Sequence, residues 1–382
     1  MGRPTTIRQP QPERPAVPLT TVHGDAALFS GRQHELDALD GVLGEVVLEG
    51  SRVVLVEGPA GIGKTALLRR FVERHGDLRV FWSSGEEPGR SSSFAVIGRL
   101  FRFIGVRGYG SPVHTASALP EEKAVEVGRR LVQALTGLDR ARPTVLVIDD
   151  AHGADRDSLR ALLFAVRRLS DHPVMTVVVT RPGAADLPEG LVRLAGCART
   201  GSVLPLGPML PGDVQDLAAA VGVPDLPLRA AYRLCAHTVG NPRHLLALFA
   251  ELPVEAWSWE MVLPAPRLFS RSVCRTLSSC SDAAHRLVEA VSVLGEHADL
   301  ATAAAIADVD EPLVALEEAC DAGLLLSPQP DAAWRLTFPD PLVRAAVYGQ
   351  LGSARRARLH VAASDLDEQR SAPGPSWVGL LP

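Results

Sequence analysis

The sequence is poor in the features that mark several classes of protein. Its five cysteines are scattered, with no C-x-x-C pair, which argues against a disulfide scaffold or a zinc site. No apolar run reaches the roughly 18 residues of a membrane-spanning helix, and the N-terminus lacks the apolar segment of a signal peptide. The net charge of −5 gives no general basic surface for nucleic acid or an anionic membrane. We therefore expect a cytoplasmic protein with buried thiols and no membrane partner.

Lysine is also scarce, because Lys64 and Lys123 are the two lysines among 39 basic residues. Lys64 belongs to GPAGIGKT at residues 58–65, which fits the phosphate-binding pattern G-x-x-x-x-G-K-[ST]. An apolar strand at residues 53–56 precedes the pattern, and an amphipathic helix follows it. Since the chain otherwise uses arginine for positive charge, this context favours a phosphate loop over a glycine-rich turn with a chance match.

The chemistry of a phosphate loop accounts for each part of this stretch. Gly58 and Gly63 allow sharp turns and a close approach of the backbone to phosphate oxygens. Consecutive amides at a helix N-terminus then form an anion site. Lys64 is predicted to reach the β- and γ-phosphates, and the Thr65 hydroxyl is predicted to bind Mg²⁺. The predicted nucleotide-contacting residues of the loop are Gly58, Pro59, Ala60, Gly61, Ile62, Gly63, Lys64, Thr65 and Ala66.

A second motif, TVLVIDD at residues 144–150, has the pattern of a buried parallel strand that ends at a ligand. Asp149 is predicted to hold Mg²⁺ through water, and Asp150 to orient or deprotonate the attacking water. Aspartate is one methylene shorter than the glutamate found at this position in many ATPases, so we expect slow hydrolysis. The alternative is a helix N-cap pair after a strand. For His152, contact with the pocket and simple packing remain equally open.

The pattern of apolar strands continues along the first half of the chain. Arg181 follows the apolar run 174–180, and it is predicted either to sense the γ-phosphate or to be a solvated strand-end arginine. The alternation of strand, loop and helix predicts a doubly wound, parallel, five-stranded sheet of the α/β class. Its strands are predicted at residues 53–56, 78–82, 144–149, 174–180 and 203–206, and helices at 91–103, 121–135, 159–169 and 212–221.

Together these motifs resemble the STAND class of AAA-like P-loop ATPases, and within it the ATPase portion of large bacterial LuxR-type ATP-binding regulators. The phosphate loop and the acidic strand are highly specific for a nucleotide, whereas the later segments are individually weak. The resemblance covers about residues 28–362, and it is carried by Gly31-Arg32, GPAGIGKT at 58–65, VLVIDDAH at 145–152, VVVTRPG at 177–183, GNP at 240–242 and FPDPLVRAAVY at 338–348.

The resemblance implies a regulatory switch that binds ATP or ADP with Mg²⁺. In this class ADP holds a closed monomer, and exchange to ATP allows self-association. Gly31 and Arg32 would help to line the nucleotide pocket, and Gly240 and Pro242 would form a lid motif against the adenine. The choice of ATP over GTP rests on the resemblance, and no guanine-specific N-K-x-D motif occurs in the sequence.

Composition and resemblance together predict the order of domains. A winged-helix domain would follow the lid, with its wing at 324–327 and 334–337. Its candidate recognition helix at 311–323 carries four acidic residues and no basic one, so direct DNA binding is not expected. The predicted order is a disordered proline-rich arm at 1–27, a P-loop ATPase domain at 28–208, a helical lid at 209–262, a winged-helix domain at 263–352, and a helix start with a loose tail at 353–382.

Two departures from the family pattern affect what the resemblance implies. Members often carry histidine just before the Pro-Leu-Val-Arg run, where this sequence has Asp340. Because like charges repel, we expect weaker retention of ADP here. The helical sensor array and the terminal DNA-binding helix-turn-helix of the large regulators do not occur, which implies a truncated product or action through an unknown protein partner. The alternatives to a switch are a DNA-binding regulator and a nucleotide-binding scaffold without hydrolysis.

Overall fold

In the computed structural model, the described residues are 29–85, 93–106, 120–183, 187–253, 263–295, 298–327 and 334–371. The chain divides into two compact units, Met1–Gly207 and Pro208–Pro382. The arm predicted at residues 1–27 lies outside the described residues, as does the predicted tail beyond residue 371.

The first unit is built on a five-stranded sheet whose pairings are all parallel, which confirms the predicted α/β fold. The strands are β1 Arg52–Glu57, β2 Arg79–Ser84, β3 Thr144–Asp149, β4 Val174–Thr180 and β5 Gly201–Pro205. Their order in the sheet is β2-β3-β4-β1-β5. The carboxyl ends of β3, β4 and β1 therefore lie side by side, at the edge where open α/β sheets bind ligands.

Apolar side chains cover both faces of this sheet. In β1, Val53 and Leu55 belong to one apolar cluster, whereas Val54 and Val56 belong to another. Because successive side chains of a strand point to opposite faces, the two clusters lie on opposite sides of the sheet. All residues of β3 and β4 are buried, as expected for central parallel strands. The helices of this unit are α1 Gln33–Glu49, α2 Lys64–Arg74, α3 Ala95–Ile104, α4 Pro120–Thr136, α5 Arg156–Val166 and α6 Glu189–Ala195.

The start of α3 depends on a residue far along the chain. The helix predicted at 91–103 begins at Ala95 in the described residues. The Asp155 carboxylate accepts hydrogen bonds from the amides of Phe94 at 2.8 Å and Val96 at 3.4 Å. This acceptor also caps its own helix α5, so one carboxylate sets the beginning of two helices. Local sequence around α3 does not reveal such a partner.

Two further elements of the first unit differ from the prediction. Helix α6 was not predicted, because its seven residues are too few for a clear helical period and include Gly190. Strand β5 begins at Gly201 rather than at residue 203, since its pairing with β1 starts with Gly201 opposite Val53. The first difference adds a helix and the second moves the start of a strand, and neither changes the predicted five-stranded sheet.

The described residues of the second unit form helices without a sheet. The helices within residues 211–251 share one apolar cluster, and those within residues 267–371 share another. The boundaries predicted for the lid and the winged-helix domain stay a prediction. The helices are α7 Pro211–Ala220, α8 Leu228–Thr238, α9 Pro242–Glu251, α10 Arg267–Ser278, α11 Asp282–Leu294, α12 Leu300–Ala307, α13 Pro312–Asp321, α14 Pro341–Gln350 and α15 Ser353–Ser371.

The winged-helix prediction is not confirmed. Where a wing was expected, the described residues form two isolated antiparallel bridges, which join Leu326 to Thr337 and Asp299 to Arg335, and residues 328–333 lie outside the described residues. Helix α10 was not predicted, and α15 continues to Ser371, well beyond a helix start. Across the described parts of both units, no helix combines the length and the apolar character needed to cross a membrane.

Candidate nucleotide-binding site

The predicted phosphate loop connects β1 to α2 and has the glycine-dependent geometry that its sequence requires. Gly61 and Gly63 adopt left-handed conformations, with φ of 79° and 100°, which glycine enters at little cost. At Gly58 an added Cβ would lie 2.8 Å from Cγ2 of Ile62 and 3.1 Å from the carbonyl oxygen of Leu206. Glycine is therefore needed at this position for packing, and the loop leads directly into the N-terminus of α2.

The start of α2 has the properties of an anion site. The first four amides of a helix lack partners within the helix, and its dipole favours negative charge there. Gly63 occupies the N-cap position and has no side chain with which to satisfy these amides. The amides at the beginning of α2 are therefore suited to phosphate oxygens.

Lys64 is buried at the mouth of the loop, with 7% of its surface exposed. Its Nζ donates hydrogen bonds to the carbonyl oxygens of Gly58 at 2.7 Å and Pro59 at 3.0 Å. Burial lowers the pKa of Lys64, the carboxylates of Asp150 and Asp149 raise it, and the Arg181 guanidinium lowers it further. The ammonium thus lies in an enclosed position among the other predicted catalytic groups.

Thr65 and Asp149 meet across the edge of the sheet, although 84 positions separate them in sequence. The Thr65 hydroxyl donates a hydrogen bond of 2.9 Å to Oδ2 of Asp149, while Oδ1 accepts the amide of Asp150 at 3.1 Å. Burial raises the pKa of Asp149, and the hydrogen bond from Thr65 opposes that effect. A hydroxyl beside a carboxylate is a donor set that Mg²⁺ prefers, so these residues fit the predicted ion.

Asp150 begins a short turn rather than a capped helix. Its backbone is left-handed, with φ of 48° and ψ of 45°, and its side chain makes no cap hydrogen bond to the short 3-10 helix Ala151–Gly153. A left-handed aspartate is uncommon, and such conformations persist where the surroundings impose them. Helix α5 is capped by Asp155 instead. The alternative in which Asp149 and Asp150 serve as a helix N-cap pair is therefore wrong.

Gly85 holds the other side of this turn, and the sequence patterns did not single it out. An added Cβ at Gly85 would lie 2.3 Å from the carbonyl oxygen of Asp150 and 2.6 Å from the amide nitrogen of Ala154. The Gly85 amide also donates to the carbonyl oxygen of Asp149 at 2.8 Å. Since β2 neighbours β3, a glycine at the carboxyl end of β2 was the signal that could have identified this position.

Arg32 contacts the protein backbone around the loop. Like Gly31, it is left-handed, with φ of 63°. Its Nη2 donates to the carbonyl oxygen of Gly207 at 2.6 Å and, more weakly at 3.5 Å, to that of Ile62, while Nη1 pairs with Glu35 at 2.9 Å. The predicted role of Gly31 and Arg32 in lining the nucleotide pocket stays a prediction.

The other predicted residues lie in the second unit. Gly240 is left-handed with φ of 59°, and the Asn241 side chain accepts the amide of Arg243 at 3.1 Å. Pro242 is the first residue of α9, so the GNP segment is a well-formed start of a helix. Asp340 caps α14 by accepting the amide of Leu342 at 2.8 Å. Their predicted roles in contacting or releasing nucleotide stay predictions.

The sheet brings five of the predicted residues to one edge. Lys64 and Thr65 follow β1, Asp149 and Asp150 end β3, and Arg181 follows β4. Because these three strands are neighbours in the sheet, groups far apart in sequence influence one another electrostatically. His152 lies in the turn after Asp150, half-buried. The arrangement combines open helix amides, a buried ammonium and a hydroxyl–carboxylate pair.

Comparison with known proteins identifies this part of the chain. Residues 28–179 match the model of a family described as the AAA ATPase domain, so this region is an AAA-type P-loop ATPase domain. A curated relative, uncharacterized protein R02095 of Rhizobium meliloti (strain 1021), is 28% identical over 192 residues. The match covers 41% of this chain but 19% of the relative, so the chain spans about a fifth of that protein.

The solved structures to which the chain is similar have lower sequence identity than this relative. The Aeropyrum pernix ORC1 protein in complex with DNA is 18% identical, with coverage of 87% of this chain and 94% of that chain and a TM-score of 0.45. A STAND protein with a tetratricopeptide repeat sensor from Pyrococcus horikoshii is 16% identical, with coverage of 90% and 46% and a TM-score of 0.38.

Proposed function

We propose that the first unit binds ATP and ADP with Mg²⁺, hydrolyses ATP slowly, and thereby serves as a nucleotide-controlled regulatory switch. The observation that carries this proposal is the meeting of Lys64 with the Thr65–Asp149 pair beside the open N-terminus of α2. A structural turn has no need of a buried ammonium next to two carboxylates, since burying charges costs free energy. A site for a polyphosphate and its metal ion uses each of these groups.

The binding roles follow from the chemistry of each group. The amides of the loop and of the first turn of α2 would hold phosphate oxygens, and Lys64 would exchange its contacts with the loop carbonyls for the β- and γ-phosphates. Thr65 would donate a hydroxyl oxygen to the metal ion, and Asp149 would hold the ion through water. When bound, Mg²⁺ would neutralise charge that develops on the phosphates.

The hydrolytic roles fall to the charged groups at the ends of β3 and β4. Asp150 would orient or deprotonate the attacking water, and its left-handed backbone fixes the direction in which its carboxylate leaves the strand. Its side chain is shorter than glutamate, so slow turnover is expected. Arg181, whose charge is felt at Lys64, would contact the γ-phosphate and distinguish ATP from ADP.

The regulatory part of the proposal comes from the resemblance to STAND ATPases. ADP would hold the resting state, and ATP would produce an active state that self-associates, with Gly240 and Pro242 contacting the adenine. A role in transcription would then be exerted through a protein partner. Direct DNA binding is disfavoured because helix α13, Pro312–Asp321, contains three acidic residues and no basic one.

The experiment for hydrolysis is phosphate release from ATP by the full chain and its Asp150→Asn variant. We expect slow release by the wild type and a loss of about 10²-fold or more in the variant, the range reported for removal of a general base. Binding of ADP should be retained. Asp171→Asn, in an exposed loop of the same unit, is the matched control. If wild type binds ATP without releasing phosphate, the protein is a nucleotide-binding scaffold.

A further inference from the structure

The segment 206–209 carries the chain from the first compact unit into the second. Hydrogen bonds hold its backbone at Leu206, Gly207 and Met209. The amide of Leu206 donates a hydrogen bond of 2.7 Å to the carbonyl oxygen of Glu57, at the end of β1. The amide of Met209 donates a hydrogen bond of 2.9 Å to the carbonyl oxygen of Gly240. Between them, the carbonyl oxygen of Gly207 accepts the guanidinium of Arg32 at 2.6 Å.

Arg32 is held firmly in the position from which it reaches this segment. Its left-handed backbone, with φ of 63°, is costly for a residue with a Cβ and persists where surrounding contacts impose it. Its side chain is 10% exposed. The planar guanidinium directs Nη1 to Glu35 and Nη2 to Gly207, and such fixed forks are specific in geometry. The guanidinium of Arg32 therefore binds other groups of the protein.

The same guanidinium lies against the phosphate loop. Nη2 of Arg32 also reaches the carbonyl oxygen of Ile62, at 3.5 Å. A second contact joins the loop to the segment, because the Gly58 backbone lies so close to Leu206 that an added Cβ would be 3.2 Å from the Leu206 Cβ. The loop and the segment thus share one cation and one tight packing contact.

We infer that Arg32 is a positioning residue that couples the phosphate loop to the segment 206–209. Nucleotide bound at the loop fixes the backbone at Ile62, which fixes Arg32, which in turn stabilises the hydrogen bonds of the segment. The inference rests on the proposed function, since it requires that the loop bind nucleotide. Coupling of this kind is reciprocal, so loosening the segment also weakens nucleotide binding.

The experiment is hydrogen exchange of the full chain, followed by mass spectrometry of peptides that contain the amides of Leu206 and Met209. In wild type, saturating ADP with Mg²⁺ should slow exchange of these amides by about fivefold or more, the lower end of typical coupling between sites. Arg32→Ala should bind ADP more weakly, by the same reciprocity, and ADP at a concentration that saturates the variant should no longer slow exchange of these amides. Arg32→Lys should restore part of it, because the ammonium reaches the Gly207 carbonyl but leaves Glu35 unpaired.

A matched control is Arg74→Ala, which removes an arginine that contacts Gln33 and Asp40 on α1 and does not touch the loop. This variant should keep the full effect of ADP. If Arg32→Ala proves unfolded by circular dichroism, Arg32→Gln serves instead, since its amide is too short to reach Gly207.

Four outcomes would overturn the inference. Slowing in Arg32→Ala equal to that in wild type would show that the segment does not depend on Arg32. Loss of ADP binding in Arg32→Ala at every accessible concentration would make Arg32 a nucleotide ligand. Binding of ADP by wild type without slowing would remove the coupling alone, whereas a folded wild type that binds no nucleotide would overturn the proposed function as well.

Discussion

Two helix starts in this protein look alike in sequence and differ in what they can do. Gly63 before α2 and Gly240 before α9 are both left-handed glycines at the beginning of a helix. At α9 the Asn241 side chain accepts an amide of the first turn, and Pro242 has no amide to satisfy. At α2 no side chain caps the helix, and a buried lysine follows.

This difference shows how a turn becomes a binding site. A capped N-terminus has used its amides within the protein, so it stabilises the fold. An uncapped N-terminus beside buried charges keeps its amides available for an anion, and this lowers the stability of the folded protein. Changes at α2 and at its acidic neighbours should therefore alter function, whereas loss of the Asn241 cap at α9 should alter stability.

The largest effect should come from Gly85→Ala, which tests whether the acidic side of the site depends on close packing. The new Cβ would lie 2.3 Å from the carbonyl oxygen of Asp150, so the turn must move. A shift of about 1 Å can lower turnover about 10²-fold. Steady-state phosphate release should show this loss while ADP affinity changes little. Gly76→Ala, where an added Cβ meets nothing within 4 Å, should leave turnover unchanged. Equal turnover in both variants would contradict the role of Gly85.

A smaller effect on stability is expected for Asp149→Asn, which should raise the free energy of unfolding while it impairs nucleotide binding. Because burial raises the pKa of Asp149, the folded state favours the protonated carboxyl. Stability therefore falls as pH rises from the ordinary carboxyl range through the raised pKa, and the full penalty is present once the pH lies above that raised pKa. The variant should be more stable to urea at neutral pH, on the order of 1 kcal/mol, and should lose Mg²⁺-dependent nucleotide binding.

The pH dependence of the stability gained in Asp149→Asn tests whether the buried carboxylate of Asp149 causes it. The difference in the free energy of unfolding between Asp149→Asn and wild type should shrink as the pH is lowered below the range in which carboxyl groups ionise, because Asp149 is then neutral in both states. Lower stability of the variant at neutral pH would contradict the account, since it would mean that the ionised carboxylate stabilises the fold.

The smallest effect is expected at the capped helix start. Asn241→Ala removes the acceptor of the Arg243 amide, and loss of such a cap costs about 1 kcal/mol. Chemical denaturation should show this decrease, and Asn241→Asp, which keeps an acceptor oxygen, should show little of it. A large loss of ADP affinity at unchanged stability would contradict the comparison, because the Asn241 side chain would then bind nucleotide rather than cap the helix.

The residues of the site were predictable because one rule places them. A phosphate loop after β1, acids at the end of β3 and an arginine after β4 must share an edge when the sheet is parallel. The contact between Thr65 and Asp149 follows from that rule. The strands that carry these residues are visible in the sequence as unbroken apolar runs that end at polar residues.

Other features depend on contacts that the local sequence does not encode. The helix start at Phe94 is set by Asp155, the turn at Asp150 by Gly85, and the position of Arg32 by a carbonyl oxygen 175 positions away. The missed helix α10 lies in a stretch rich in arginine and serine, which blurs its apolar period. Contacts between residues distant in sequence therefore determine the helix start at Phe94, the turn at Asp150 and the position of Arg32.

The most direct test of the central claim is calorimetric titration of ADP and ATP, each with Mg²⁺, into wild type, Lys64→Ala and Lys123→Ala. The sequence supplies this control, since these are its two lysines. We predict that wild type and Lys123→Ala bind alike and that Lys64→Ala binds about 10- to 100-fold more weakly, as expected for a lost charge-assisted contact. No binding by folded wild type, or equal binding by all three proteins, would contradict the assignment of residues 58–65 as a working nucleotide site.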